Sequence, residues 1–200
     1  MKREDLKELH YITPIANVPS IIANGILSHN LSQKIPHASC ASNDVQRTRA
    51  KKYLPDGSPL HDYAIVYINA RNPMMYVRRD KHHDLVILSV SADIVDLPWA
   101  IVTDRNAASY PIFKQAPEGL EMIKSETVFA EYWTHPDDPI EEDRHRKAMC
   151  AEVLVRYKIE PCHIMKAYVS CEESKQSLQV VLNQTGLQLN IEIVPHLFFQ

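Results

Sequence analysis

A single carboxylate opens the apolar run Glu152-Val153-Leu154-Val155, and its setting makes it the first residue to consider for chemistry. Strands disfavour glutamate, and a buried carboxylate is costly unless it is paired. Two readings follow. Glu152 is either an edge-strand residue pointing into water, or a catalytic carboxylate at the mouth of a cleft, held by the strand behind it. Upstream, Tyr132-Trp133 offers stacking surfaces and Arg144-His145-Arg146-Lys147 offers cations. A carboxylate approached by aromatic and cationic side chains suits a site for a phosphate-bearing substrate.

The elements that must position these residues are short. Leu9 to Thr13 reads as a strand rich in aromatic and β-branched residues, and Pro14 closes it. Ile15 to Asn24 reads as a short helix with Pro19 near its start and Asn24-Gly25 as a left-handed exit. Ser28 to Cys40 reads as loop. Asp44 is a candidate N-cap for a helix from Val45 to Tyr53, whose Arg47, Arg49, Lys51 and Lys52 form the densest cationic stretch of the first half. Further strands are expected at Tyr63 to Ile68, Leu85 to Val90 (apolar enough for burial on both faces), Trp99 to Thr103, Ile164 to Val169 and Leu189 to Val194. Thr134 to Asp143 reads as an exposed loop, with helices over Glu141 to Met149 and Glu172 to Leu182. Many short strands with a few helices and no repeats predict mixed α+β, two packed sheets with a cleft.

The totals narrow the class. A chain of 200 residues with 45% apolar and 24% charged composition is expected to form one soluble domain. The formal charge of -3 argues against a generally cationic coat but leaves room for a local basic groove. Four cysteines without CxxC spacing (Cys40, Cys150, Cys162, Cys171) read as reduced thiols in a cytoplasmic protein. No signal peptide or membrane-length apolar run is visible.

Three widely separated pieces then combine into one pattern. They are Tyr11-Ile12-Thr13-Pro14-Ile15-Ala16-Asn17-Val18 with Asn24-Gly25-Ile26-Leu27, then Val45-Gln46-Arg47-Thr48-Arg49 with Asn72-Pro73-Met74-Met75-Tyr76, and finally Thr103-Asp104-Arg105-Asn106-Ala107-Ala108 with Ala151-Glu152-Val153-Leu154-Val155. In order and spacing the chain resembles the DarT family of DNA ADP-ribosyltransferase toxins. The resemblance implies an ADP-ribosyltransferase-like α+β fold, a split pair of small β-sheets around an NAD cleft, flanked by helices. It implies NAD as substrate, single-stranded DNA as acceptor, no metal, and a macrodomain antitoxin of the DarG type as partner. By position, Glu152 matches the family's catalytic glutamate and Arg49 its catalytic arginine. Tyr11, Thr13 and Asn17 fall in the nicotinamide-binding segment. Many relatives read Tyr-His-Ile-Thr there, whereas this chain reads His10-Tyr11-Ile12-Thr13. Neighbouring strand residues face opposite sides, so His10 and Tyr11 cannot both inherit one role, and Tyr11 keeps the register with Ile-Thr.

Glycosidic cleavage develops positive charge on the ribose, and one well-placed carboxylate can stabilise it. Arg49 would hold a pyrophosphate or the incoming base through directed hydrogen bonds; the family suggests that it also takes the base proton, although arginine is a weak base. Arg144, Arg146 and Lys147 are expected on the DNA face, with Tyr132 or Trp133 stacking a splayed base. Other readings are an RNA or protein acceptor, a non-catalytic nucleic-acid-binding module, and a metal nuclease using His82-His83-Asp84 with Asp137-Asp138. The last lacks metal-ligand spacing.

Overall fold

The computed structural model describes residues 1–38 and 43–200. Along the chain these form β1 (Glu8–Pro14), α1 (Val18–Asn24), β2 (Ile26–Leu27), α2 (His29–Ser32), α3 (Asn43–Arg49), β3 (Tyr63–Tyr67), α4 (Pro73–Tyr76), β4 (Leu85–Ser91), β5 (Ile101–Thr103) and β6 (Phe113–Gln115). There follow α5 (Ser125–Val128), α6 (Pro139–Ala148), β7 (Glu152–Arg156), β8 (Lys158–Ile159), β9 (Ile164–Val169), α7 (Glu172–Thr185) and β10 (Asn190–Ile193). The reduced thiol expected at Cys40 lies outside the described residues. Cys150, Cys162 and Cys171 are free thiols. No described helix is long and apolar enough to cross a membrane.

Eight strands form one sheet in the order β10-β9-β4-β1-β3-β7-β5-β6, while β2 and β8 pair separately. The sheet is two halves joined at one point. β1 pairs with β4 along its whole length, and β3 does so with β7. Between β1 and β3 the ladder holds only His10 opposite Tyr67. In an antiparallel pair the next rungs would set Tyr11 to Pro14 against Val66 to Tyr63. There the strands splay apart, and the space between them is the cleft that the expected split pair of sheets surrounds.

The main core lies on the face where Leu9, Val66, Val86, Leu88, Val153 and Val155 point, and α1 and α7 cover it with Val18, Ile21, Leu178 and Leu182. Leu85 and Ile87 point the other way, into a second cluster with Ile12, Met75, Tyr168 and Phe198. β4 is therefore buried on both faces, which is why its sequence is continuously apolar rather than alternating.

Local chemistry explains most element ends. Gly25 leaves α1 at φ 85°, and a Cβ there would stand 2.2 Å from the Ile159 carbonyl oxygen, so both conformation and space exclude a side chain. Ser28 caps α2 by accepting from the Leu31 N–H, which makes a short helix inside a segment expected to be loop. Pro139 starts α6 behind the Asp138 cap, two residues before the expected helix start at Glu141 and inside the segment expected to be loop. Helix α3 begins at Asn43 and stops at Arg49, because Tyr53 bridges to Pro59 instead of continuing the turn.

Candidate active site

Strand β7 lies between β3 and β5, so Glu152 is not on an edge strand. Alternation puts Val153 and Val155 into the main core and Glu152 with Leu154 on the opposite face. The Glu152 side chain is 0% exposed. The solvated edge-strand reading is therefore excluded, and burial demands partners. Oε1 accepts from Arg49 Nη2 at 2.7 Å and from Asn106 Nδ2 at 3.1 Å, and Oε2 accepts from the Ala107 N–H at 2.7 Å.

Register supplies these partners. Thr103 stands opposite Glu152 on β5, so the loop that follows β5 must pass the carboxylate. Asn106 ties the arrangement together: its carbonyl oxygen accepts from Arg49 Nη2 at 3.3 Å and from the Ala108 N–H at 2.9 Å. Asp104 holds the loop's far end by accepting from the Ile112 N–H at 2.8 Å. Burial raises the Glu152 pKa, against the opposing pull of Arg49 and the Ala107 N–H. Burial also works against the Arg49 charge, but Glu152 and Tyr67 outweigh it, and the guanidinium pKa is raised.

In front of this pair a cavity of about 900 Å³ occupies the β1/β3 split. Tyr11, Ile12 and Thr13 line one wall, and Tyr63, Ile65 and Tyr67 line the other. Three buried polar atoms on lining residues, Arg49 Nε, Gln46 Oε1 and His61 Nε2, have no hydrogen-bond partner among the described residues. Buried polar atoms are normally satisfied, so this set of donors and acceptors fits a polar ligand. A dinucleotide bearing phosphates, hydroxyls and an amide offers complementary groups.

The expected cofactor residues divide. Tyr11 and Thr13 line the cavity. Asn17 also lines it, but its amide is committed elsewhere: it donates to Thr13 Oγ1 at 3.0 Å and the Ala38 carbonyl at 2.6 Å, and accepts from the Ala38 N–H at 2.8 Å. Asn17 thus holds the segment at Ala38 beside the cavity. His10 does not line it. His10 instead sits at the rung where β1 pairs with β3, and its ring nitrogens meet the Ile68 carbonyl and Glu8, each at 3.3 Å. His10, expected beside Tyr11 on the nucleotide side, thus stands outside the cavity lining.

The expected nucleic-acid residues divide as well. Arg146 and Lys147 reach the cavity rim, both paired with Asp143 on the same helix. Arg144 lies off the rim and faces Glu141 at 3.7 Å. Trp133 lines the cavity and is held edge-on by Tyr76, with ring centroids 5.3 Å apart, and by Phe199 at 6.1 Å. Tyr132 is 67% exposed and outside the lining. Reading the sequence did not assign roles to Asn106, Ala107, Tyr67, Gln46 or His61. Asn106 and Ala107 carried a signal as members of the Thr103-to-Ala108 motif, and Gln46 as a member of the Val45-to-Arg49 motif.

Comparison with known proteins agrees with this geometry. A family model described as "DarT: ssDNA thymidine ADP-ribosyltransferase" matches residues 10–199. A DNA ADP-ribosyl transferase–DNA ADP-ribosyl glycohydrolase fusion protein of Thermosipho africanus is 34% identical over 94% of this chain and 48% of its own length. The chain thus spans about half of that relative. Two structures of the DarT of Thermus sp. 2.9 share the fold. One, in complex with ADP-ribosylated ssDNA, has a TM-score of 0.84 at 24% identity and covers 99% of both chains. The other, in complex with NAD⁺, has a TM-score of 0.77 at 23% identity over 97% of this chain and 98% of that one. With the motif residues gathered around Glu152 and the family model spanning nearly every residue, this chain belongs to the DarT family.

Proposed function

We propose that the protein transfers ADP-ribose from NAD⁺ onto a thymidine base of single-stranded DNA. The observation that carries this reading is the buried Arg49–Glu152 pair behind a cavity whose polar atoms include three with no partner among the described residues. The NAD⁺ and ADP-ribosylated ssDNA bound by the Thermus DarT support the donor and the acceptor, and the family description supports thymidine.

Bound NAD⁺ supplies an electrophilic ribose carbon once nicotinamide leaves. The Glu152 carboxylate gives the negative charge that stabilises a ribose developing positive charge. Because Glu152 has no exposed surface, a ribose hydroxyl reaches Oε1 only when Arg49 or Asn106 yields its place. Arg49 keeps its proton, since Glu152 and Tyr67 hold its charge against burial, and it therefore serves as a donor to pyrophosphate or the incoming base. Tyr11 and Thr13 shape the wall that meets nicotinamide. Arg146 and Lys147 at the rim meet DNA phosphates, and Trp133 with the exposed Tyr132 offers ring faces to unstacked bases. A base must leave its stack to reach a buried pair, which favours single strands.

In this reading residues 1–200 act as one transferase domain, the toxin of a cytoplasmic toxin–antitoxin pair. A DarG-type macrodomain would be the partner that removes the modification. The fusion of transferase to glycohydrolase in the Thermosipho relative supports that pairing. The test is incubation with NAD⁺ and single-stranded oligonucleotides with and without thymidine, read by intact mass. Addition of one ADP-ribose to thymidine-containing strands, absent with Glu152→Gln, is the expected result. NAD⁺ consumption without a DNA product moves the acceptor to RNA, protein or water. A folded protein that leaves NAD⁺ intact overturns the transferase reading.

A further inference from the structure

Away from the cavity, His82, His83 and Cys171 each bring one donor atom within 4.8 Å of the others. None of the three lines the cavity. The two histidines end the turn that leads into β4, and Cys171 precedes α7, so 88 residues of chain separate Cys171 from His83. We propose that this cluster binds a zinc-type divalent ion that clamps the start of α7 to the turn before β4.

The distances suit a tetrahedral ion. Cys171 Sγ is 3.4 Å from His83 Nδ1, and His83 Nδ1 is 3.5 Å from Glu173 Oε2. Tetrahedral zinc, with bonds of about 2.3 Å to sulfur and about 2.0 Å to nitrogen or oxygen, sets such S···N pairs at roughly 3.5 Å and N···O pairs at roughly 3.3 Å. Small side-chain movements therefore suffice. Glu173 is 77% exposed and free to close on the ion as a fourth ligand. The His82 and His83 rings lie against each other, with centroids 3.8 Å apart.

The ligands are also held from behind. Ser170 Oγ lies 2.7 Å from His82 Nδ1 and donates to the His82 carbonyl at 3.3 Å, which fixes that residue's ring and backbone. The Ser174 hydroxyl donates to the His83 carbonyl at 3.1 Å. Both serines are buried. Metal ligands are commonly oriented by such outer hydrogen bonds. A set of two imidazoles and a thiolate selects zinc, cobalt or a similar ion over magnesium or calcium. The site takes no part in base modification; it joins two segments that local hydrogen bonds already bring together.

Titration of the full chain with Co²⁺ tests this. The expected result is one equivalent bound, with thiolate-to-cobalt charge-transfer absorption in the near ultraviolet that Zn²⁺ abolishes. Cys171→Ser should remove the absorption, and His82→Ala or His83→Ala should each weaken binding by about tenfold or more. Zn²⁺ should raise the melting temperature of the parent chain but not of Cys171→Ser, which should transfer ADP-ribose as the parent does. Absence of the absorption, or its survival in a folded Cys171→Ser chain, overturns the site.

Discussion

Arg49 Nη2 lies 2.7 Å from Glu152 Oε1 although 103 residues separate the two in the chain. The pair is asymmetric: Glu152 is wholly buried, while the Arg49 side chain keeps 13% of its surface exposed. Removing the arginine therefore leaves a carboxylate with no access to water. In Arg49→Ala the Glu152 pKa, already raised by burial, rises further. A carboxyl group with a raised folded pKa keeps its proton in the folded state where the unfolded chain releases it. Stability is then lost as pH rises from the unfolded carboxylate range towards the folded pKa. Arg49→Ala should lose more stability relative to the parent at about pH 8 than at about pH 5, as well as losing transfer. Urea midpoints at both values check this, and an equal loss at both would mean that the charge pairing contributes nothing.

Glu152→Gln replaces an acceptor-only group by an amide. Three N–H donors converge on the two carboxylate oxygens, so the new NH₂ must face at least one of them. A loss of about 1–3 kcal/mol is expected together with loss of transfer. Thermal melting beside the mass assay separates the two effects. A Gln variant as stable as the parent would mean that Arg49 or Asn106 swings away at little cost.

Asn106 touches both members of the pair, at 3.1 Å from Glu152 and 3.3 Å from Arg49. It acts by positioning them. Asn106→Ala should lower kcat by about a hundredfold, as misplacement of reacting groups does, with a small change in the KM for NAD⁺. A rise in KM alone would make Asn106 a binding residue instead.

Glu8 governs acid stability. Its carboxylate resists the cost of burial through hydrogen bonds from His10, Ser89 and Tyr168, which bring its pKa down to about 2. A depressed folded pKa contributes stability that is present above the unfolded value and is lost as pH falls through the folded one. That contribution should disappear between about pH 4.5 and about pH 2, and amounts to at most about 3 kcal/mol. Tyr168→Phe removes its hydroxyl bonds to Glu8, which measure 2.7 and 2.9 Å, and should raise the acid unfolding midpoint. An unchanged midpoint would assign acid unfolding to other carboxylates.

Arg146 and Arg144 make a matched comparison on one helix. Arg146 reaches the cavity rim and Arg144 does not. If single-stranded DNA crosses that rim, Arg146→Ala weakens binding and reduces the slope of log K against log salt by about 0.7, the value for one single-strand phosphate contact. Arg144→Ala should leave the slope unchanged. Equal effects of the two would place the DNA path along the outer face of α6.

Elements decided by near neighbours were legible in the sequence. The continuous apolar run of β4 announced burial on both faces, and the apolar run from Val153 announced β7. Pro139 and Asp138 carry the start signal of α6, yet the acids and prolines around them read as loop, because cap and loop share the same residue types. The face of His10 was decidable only in part. Period-two alternation argued against a shared role with Tyr11, and the β1–β3 rung at His10 then left Tyr11, not His10, in the cavity lining.

The sequence by itself determined the α+β class and the motif residues, because each is carried by residue type and order along the chain, and its resemblance to the DarT family singled out Glu152 and Arg49 as candidates. Tertiary structure alone decided that Glu152 is caged rather than solvated. The cage consists of Arg49 from the end of α3, Asn106 and a backbone N–H from the loop after β5, and strands on both sides of β7. Such partners are set by strand order and register, which bring distant segments together. A buried carboxylate and an exposed one have the same local sequence; what separates them is how many donors the fold delivers to its oxygens.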